Sequence, residues 1–120
     1  MKKIIQTIII LCILSIGCQA RNYTILGLGD SITEGIDGKG SYLSPLKKML
    51  FEEGYDVEFI GPRMSRSGDE AIPCYGWCGK DVEFIESTVE DVYSEYPADI
   101  VLFHSGHNHD AATKPVKGII

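Results

Sequence analysis

Apolar and polar positions along this 120-residue chain fall into short runs whose period switches between that of a strand and that of a helix. Tyr23-Thr24-Ile25-Leu26-Gly27-Leu28 is a compact apolar run and predicts a first strand. Leu43, Leu46 and Leu50 recur at helical spacing and predict a helix over about 42–53. Ser44-Pro45 fits its first turn, and Gly54 ends it. Val57, Phe59 and Ile60 predict a second strand over 56–60, stopped by Gly61-Pro62. From Arg63 to Cys78 no period is found, which reads as a long surface loop of the kind that often carries function. Val82, Ile85, Val89, Val92 and Tyr96 share one helical face over 81–96, with Pro97 just beyond. Ala98 to Phe103 is nearly all apolar, as a strand buried on both faces should be. Strands alternating with helices predict an α/β fold whose sheet is parallel with right-handed crossovers.

The beginning of the chain follows another pattern. Lys2 and Lys3 precede a mostly apolar stretch from Ile4 to Ile16, and Gly17-Cys18-Gln19-Ala20 follows. That is the layout of a secretory signal peptide over residues 1–20, too short for a comfortable membrane span. Leu14-Ser15-Ile16-Gly17-Cys18 resembles a bacterial lipoprotein signal, with Cys18 as the lipid-bearing residue. Cleavage after Ala20, releasing a soluble protein, is the second reading, and an uncleaved anchor the third. The lipoprotein reading is preferred because Gly directly precedes Cys. The protein is then exported, to the periplasm or the cell surface.

Export leaves about 100 residues, enough for one domain at most and short for a doubly wound sheet. Losing Lys2 and Lys3 takes two positive charges away, so the formal charge moves from −6 to −8. Such an acidic chain lacks the basic footprint of a nucleic-acid partner. Cys74 and Cys78 belong to the domain, but their spacing is not the CxxC of a redox or zinc motif. They form either a local disulfide, which needs a tight backbone turn, or two small packing residues.

Three segments converge on the carboxyl edge of the predicted sheet: Gly29-Asp30-Ser31, Gly76-Trp77-Cys78-Gly79 and Gly106-His107-Asn108. Open α/β folds build their sites at that edge. Their residue types suit acyl transfer. Ser31 offers a hydroxyl nucleophile, Gly79 a backbone N–H near a helix N-terminus, and Asn108 an amide donor for an oxyanion. Asp30 reads either as a carboxylate that orders the serine turn or as a solvated turn residue. Tyr75 and Trp77 read either as a sugar-stacking rim or as packing beneath the loop.

Competing motifs fail at defined positions. A dinucleotide fingerprint would need a third glycine where Ile32 stands. The GxSxG elbow would need a glycine where Thr33 stands. His104, His107 and His109 with Asp110 invite a zinc reading, but Asp110 directly follows His109 and no further histidine closes the motif. The preferred reading has His104 ending a strand in the core and the other two lining the cleft rim. No metal and no cofactor are expected.

Over about residues 23–110 the chain resembles the SGNH hydrolases, the GDSL-type esterase and lipase superfamily. Gly29-Asp30-Ser31-Ile32-Thr33 matches the first block, Gly79 the glycine of the second, and Gly106-His107-Asn108 the GxN of the third. The resemblance implies a three-layer α/β/α arrangement around a parallel, flavodoxin-like sheet, incomplete here with about three strands. It implies Ser31 as nucleophile, with the N–H groups of Ser31 and Gly79 and the Asn108 amide as oxyanion donors. The family often has Asp after that Asn, where His109 stands here. It takes its general base from an Asp-x-x-His pair, and none follows Asn108. Residues 21–120 are therefore expected to be the N-terminal part of a longer hydrolase domain. The expected activity is that of a serine ester hydrolase, a carbohydrate O-acetyl esterase acting on small-molecule or glycan esters. The alternative is a non-catalytic surface protein of the same fold that binds glycan.

Overall fold

Strand β1 (Tyr23–Gly29) buries five successive residues, Ile25 to Gly29. Neighbouring side chains on a strand point to opposite faces, so both faces of β1 must be covered. The structure is a computed structural model that describes residues 22–36, 39–66 and 70–109. After β1 come α1 (Ser31–Glu34), α2 (Leu43–Glu52), β2 (Val57–Ile60), β3 (Arg63–Met64), β4 (Pro73–Gly76), α3 (Val82–Glu95) and β5 (Ile100–His104).

All three neighbours of β1 run parallel to it. β2 pairs with its first half, from Tyr23 opposite Val57 to Leu26 opposite Ile60. β4 pairs with its end, Leu28 opposite Tyr75 and Gly29 opposite Gly76. β5 runs along Ile25 to Gly29, opposite Ile100 to His104. Because β5 overlaps both other registers, β2 and β4 share one edge of β1 and β5 takes the other. β3 pairs antiparallel with β4, which makes the sheet mixed.

The two faces of β1 nucleate two apolar clusters. Ile25 packs with Leu43, Phe59, Ile72 and Cys74, and Leu46 and Leu50 of α2 lie against them. Leu26 and Leu28 pack with Tyr75, Ile85 and Ala98, and Val89 and Val92 of α3 lie against those. The periodic leucines and valines thus bury the helical faces their spacing predicts. α3 is capped by Asp81, whose carboxylate accepts from Phe84 N–H at 2.9 Å. α2 has no side-chain bond from its own cap residue Tyr42. The preceding Ser41 takes that role: its hydroxyl accepts from Leu43 N–H at 3.2 Å and donates to the Thr33 carbonyl at 2.7 Å.

Expected and observed elements differ in four places. The expected loop over 63–78 holds β3 and β4, so the described residues form five strands where about three were expected. β3 has two residues and β4 runs from a proline to a glycine, so neither shows an apolar run, and Ile72, Cys74 and Tyr75 are nonetheless buried. The serine turn continues into α1, a single turn of helix. The sheet is not wholly parallel, because β3 returns along β4. β5 is not buried on both faces: Ile100, Val101 and Phe103 are 41%, 43% and 40% exposed. Among the described residues it pairs with β1 alone. The expected signal segment, residues 1–20, lies outside the described residues. No helix among the described residues is long and apolar enough to cross a membrane.

Leu26 is fully buried at the centre of the second cluster, so Leu26→Ala should cost about 2–5 kcal/mol. Met49→Ala, at a side chain 62% exposed, should stay within about 0.5 kcal/mol of the parent. Urea unfolding midpoints of the two variants check the contrast.

Candidate active site

The serine turn is built on a close approach of two strands. A Cβ on Gly29 would lie 1.9 Å from the carbonyl oxygen of His104, so only glycine fits there. The chain then leaves the sheet, and Asp30 N–H donates to that same carbonyl at 3.2 Å. Asp30 is fully buried and caps α1, its Oδ1 accepting from Ile32 N–H at 3.0 Å. This is the turn-ordering carboxylate, not a solvated one. Its Oδ2 is buried and has no hydrogen-bond partner among the described residues. Ser31, the first residue of α1, is half-buried at the carboxyl end of β1.

The second loop is fastened to the first by Glu34, a residue that belongs to none of the motifs. Glu34 is 3% exposed. Its Oε2 accepts from Cys78 N–H at 2.5 Å. Its Oε1 lies 3.2 Å from Arg63 Nη2 and 3.2 Å from Arg66 Nε. Arg63 also donates from Nε to the Gly76 carbonyl at 2.9 Å and lies 3.6 Å over the Trp77 ring. Trp77 N–H donates to the Gly29 carbonyl at 2.9 Å, continuing the β4–β1 ladder. A Cβ on Gly76 would meet the Glu34 backbone nitrogen at 2.4 Å, so this glycine lets the loop and the helical turn touch. Gly79 follows with φ of +77°, in the turn leading to the Asp81 cap.

The third loop leaves β5 and reaches back to the second. Asn108 Nδ2 donates to the Lys80 carbonyl at 2.6 Å, next to Gly79. An amide nitrogen carries two hydrogens, so one remains for a ligand. Ser31, Gly79 and Asn108 therefore stand on three loops joined through their neighbours: Glu34 to Cys78, Asn108 to Lys80, and Asp30 to His104. The bonds that join them run through these neighbours and not between the three residues themselves.

The other candidates are placed as follows. Cys74 is fully buried and Cys78 exposed, and both are free thiols. The packing reading holds for Cys74, whose side chain joins the α2 cluster, and fails for Cys78, which is exposed. Burial is the main cause that pushes its thiol pKa up. Tyr75 is 6% exposed, and Trp77 packs edge-on against Tyr75 and Phe84. With Arg63 over its ring, Trp77 packs beneath the loop instead of forming an open stacking rim. His104 ends β5 as expected but stacks on His107, with centroids 5.4 Å apart and planes at 15°, instead of entering the core. His109 does not line a rim. Its side chain is 4% exposed and its Nε2 lies 2.5 Å from Glu83 Oε2 on α3. Asp110 lies outside the described residues.

The elements and their curled, mixed sheet make a mixed α/β fold consistent with an α/β hydrolase-like fold. No family model matches the chain, and no curated protein does. Among solved structures it is similar to a Clostridium thermocellum family 3 carbohydrate esterase, with a TM-score of 0.67 and 28% identity. The match covers 73% of this chain, which spans 45% of the length of that one.

Removing Glu34 deprives Cys78 N–H and the partly exposed Arg63 and Arg66 of their shared acceptor, so Glu34→Ala should cost about 1–3 kcal/mol. Glu34→Gln should cost less, since its amide oxygen still accepts from Cys78 N–H. By contrast, Glu52→Ala removes an exposed partner 3.9 Å from Lys48 and should be nearly neutral. Urea titration of the three variants measures the order.

Proposed function

We propose that the chain carries the nucleophile and oxyanion donors of an SGNH-type serine ester hydrolase acting on O-acetyl groups of carbohydrates. The observation that supports it is the joining of the Ser31, Gly79 and Asn108 loops at one end of the strands through Glu34, Lys80 and His104. Likeness to a carbohydrate esterase supports the substrate class. The three-layer, flavodoxin-like arrangement of the family belongs to the same proposal. Its present support is β1 flanked by α2 on one face and α3 on the other.

In this reading Ser31 Oγ attacks the acetyl carbonyl carbon and loses its proton to a general base. The oxygen that becomes negative is met by the N–H groups of Ser31 and Gly79 and by Asn108 Nδ2. Collapse breaks the bond to the sugar oxygen, which takes the proton and leaves as an alcohol. Water then attacks the acetyl-serine, releasing acetate and restoring Ser31. The family's base is an Asp-x-x-His pair, and none follows Asn108 in this sequence. The 120-residue chain alone should therefore turn over p-nitrophenyl acetate negligibly. In a longer chain that carries the pair, Ser31→Ala should abolish turnover. Asn108→Ala should lower kcat by about 10²–10³, with KM changed much less. Hydrolysis that survives Ser31→Ala refutes the proposal.

We further propose export as a lipoprotein, with Cys18 as the lipid-bearing residue. The mature protein should then begin at Cys18 and partition into detergent, and Cys18→Ser should block processing. A soluble mature chain beginning at Arg21 would show ordinary secretion.

A further inference from the structure

Asp30 has a use for only one of its carboxylate oxygens in the serine turn. Oδ1 is committed to Ile32 N–H, whereas Oδ2 is buried without a hydrogen-bond partner among the described residues. A buried carboxylate oxygen without a donor or cation is expensive. Imidazole nitrogens stand near this carboxylate. One ligand atom each of Asp30, His104 and His107 all lie within 4.8 Å of one another.

We propose that Asp30, His104 and His107 form a binding site for a divalent ion of the zinc class. Two imidazoles and one carboxylate are donors for borderline ions such as Zn²⁺. Ca²⁺ and Mg²⁺ prefer sets of oxygen ligands. Three protein ligands leave a coordination position open. Bonds of about 2.0–2.2 Å bring donors closer together than they stand here, by roughly an ångström. His107 can make that adjustment. It is exposed, sits on a turn, and follows Gly106, whose φ of +120° leaves the turn adaptable. Asp30 and His104 are held more firmly, by the α1 cap and by the Asp30 N–H bond to the His104 carbonyl. The set differs from the one that His-x-x-His-x-His suggests in the sequence. His109 is withdrawn to Glu83, and the carboxylate comes from the end of β1, 74 positions before His104 in the chain.

The proposal is independent of the serine chemistry and is tested by binding. The full chain is titrated with Zn²⁺ against a chromogenic chelator. One equivalent should be lost, or weakened by about a hundredfold or more, in both His104→Ala and His107→Ala. Loss of an outer partner alone costs 10–100-fold in typical sites. Asp30→Asn should weaken the same equivalent while its side-chain oxygen still caps α1, and an unchanged thermal transition checks that the fold is kept. Ser31→Ala, His109→Ala and Cys78→Ser should leave that equivalent in place. Unchanged Zn²⁺ binding in the His104 and His107 variants, loss of it in Cys78→Ser or His109→Ala, or no binding by the parent chain, would each overturn the proposal.

Discussion

A single buried carboxylate, Glu34, joins the serine turn to the loop that follows β4. Glu34 closes the one-turn helix after β1, and from there it holds Cys78 N–H, Arg63 and Arg66. The decisive comparison is with the exposed pair of Lys48 and Glu52, 3.9 Å apart on α2. Exposed pairs are worth about 0–1 kcal/mol, because water competes and side-chain freedom is lost. A carboxylate that is 3% exposed has no such fallback. Without its partners it would face a desolvation cost of several kcal/mol, so the folded state strongly favours arrangements that keep all of them. That requirement fixes the distance between the serine turn and the loop carrying Gly79.

The clamp works only because the backbones can come close enough. Gly29 lies against the His104 carbonyl and Gly76 against the Glu34 backbone, and a Cβ at either would collide with main-chain atoms. Main-chain atoms cannot rotate away as a side-chain tip can. These two glycines therefore set how tightly β5 and β4 converge on the end of β1. Arg63 reinforces the second contact, bonding the Gly76 carbonyl and covering Trp77 while it pairs with Glu34. A lysine has one point charge and no fork, and could not make those contacts together.

The helices α2 and α3 were legible through their helical period, and the strands β1, β2 and β5 as short apolar runs bounded by turn residues. β3, β4 and α1 were not, since they are two to four residues long and lie among glycine, proline and charged residues that mask any apolar run. The apolar run of β5 was legible as a strand but not as an exposed one. Hydrophobicity records a tendency to be covered, and the pairing partner decides whether it is met. The serine, glycine and asparagine segments could be placed at one sheet edge from the sequence because they lie at the ends of β1 and β5 and just before α3. Glu34 and the two arginines were missed for a physical reason: a charged residue in a polar stretch reads as solvated unless its partners are known. Those partners lie 29 and 32 positions further along the chain. His109 was misread in the same way, its partner Glu83 being on another element.

Asp30 unites the two kinds of demand. To order the turn that carries Ser31, a carboxylate must sit at the start of α1 with one oxygen on Ile32 N–H. The same geometry buries the residue completely, because the turn leaves β1 where β4 and β5 flank it. A capping serine or asparagine would satisfy the helix equally well. Aspartate adds a second, charged oxygen in a place water does not reach, and β5 ends at that place with a histidine whose backbone carbonyl is already bonded to Asp30 N–H. Capping alone therefore does not account for the charge. His104 and His107 each bring a ring nitrogen within 4.8 Å of an Asp30 carboxylate oxygen, which is the reason to look to them, more than to the helix, for what the charge is for.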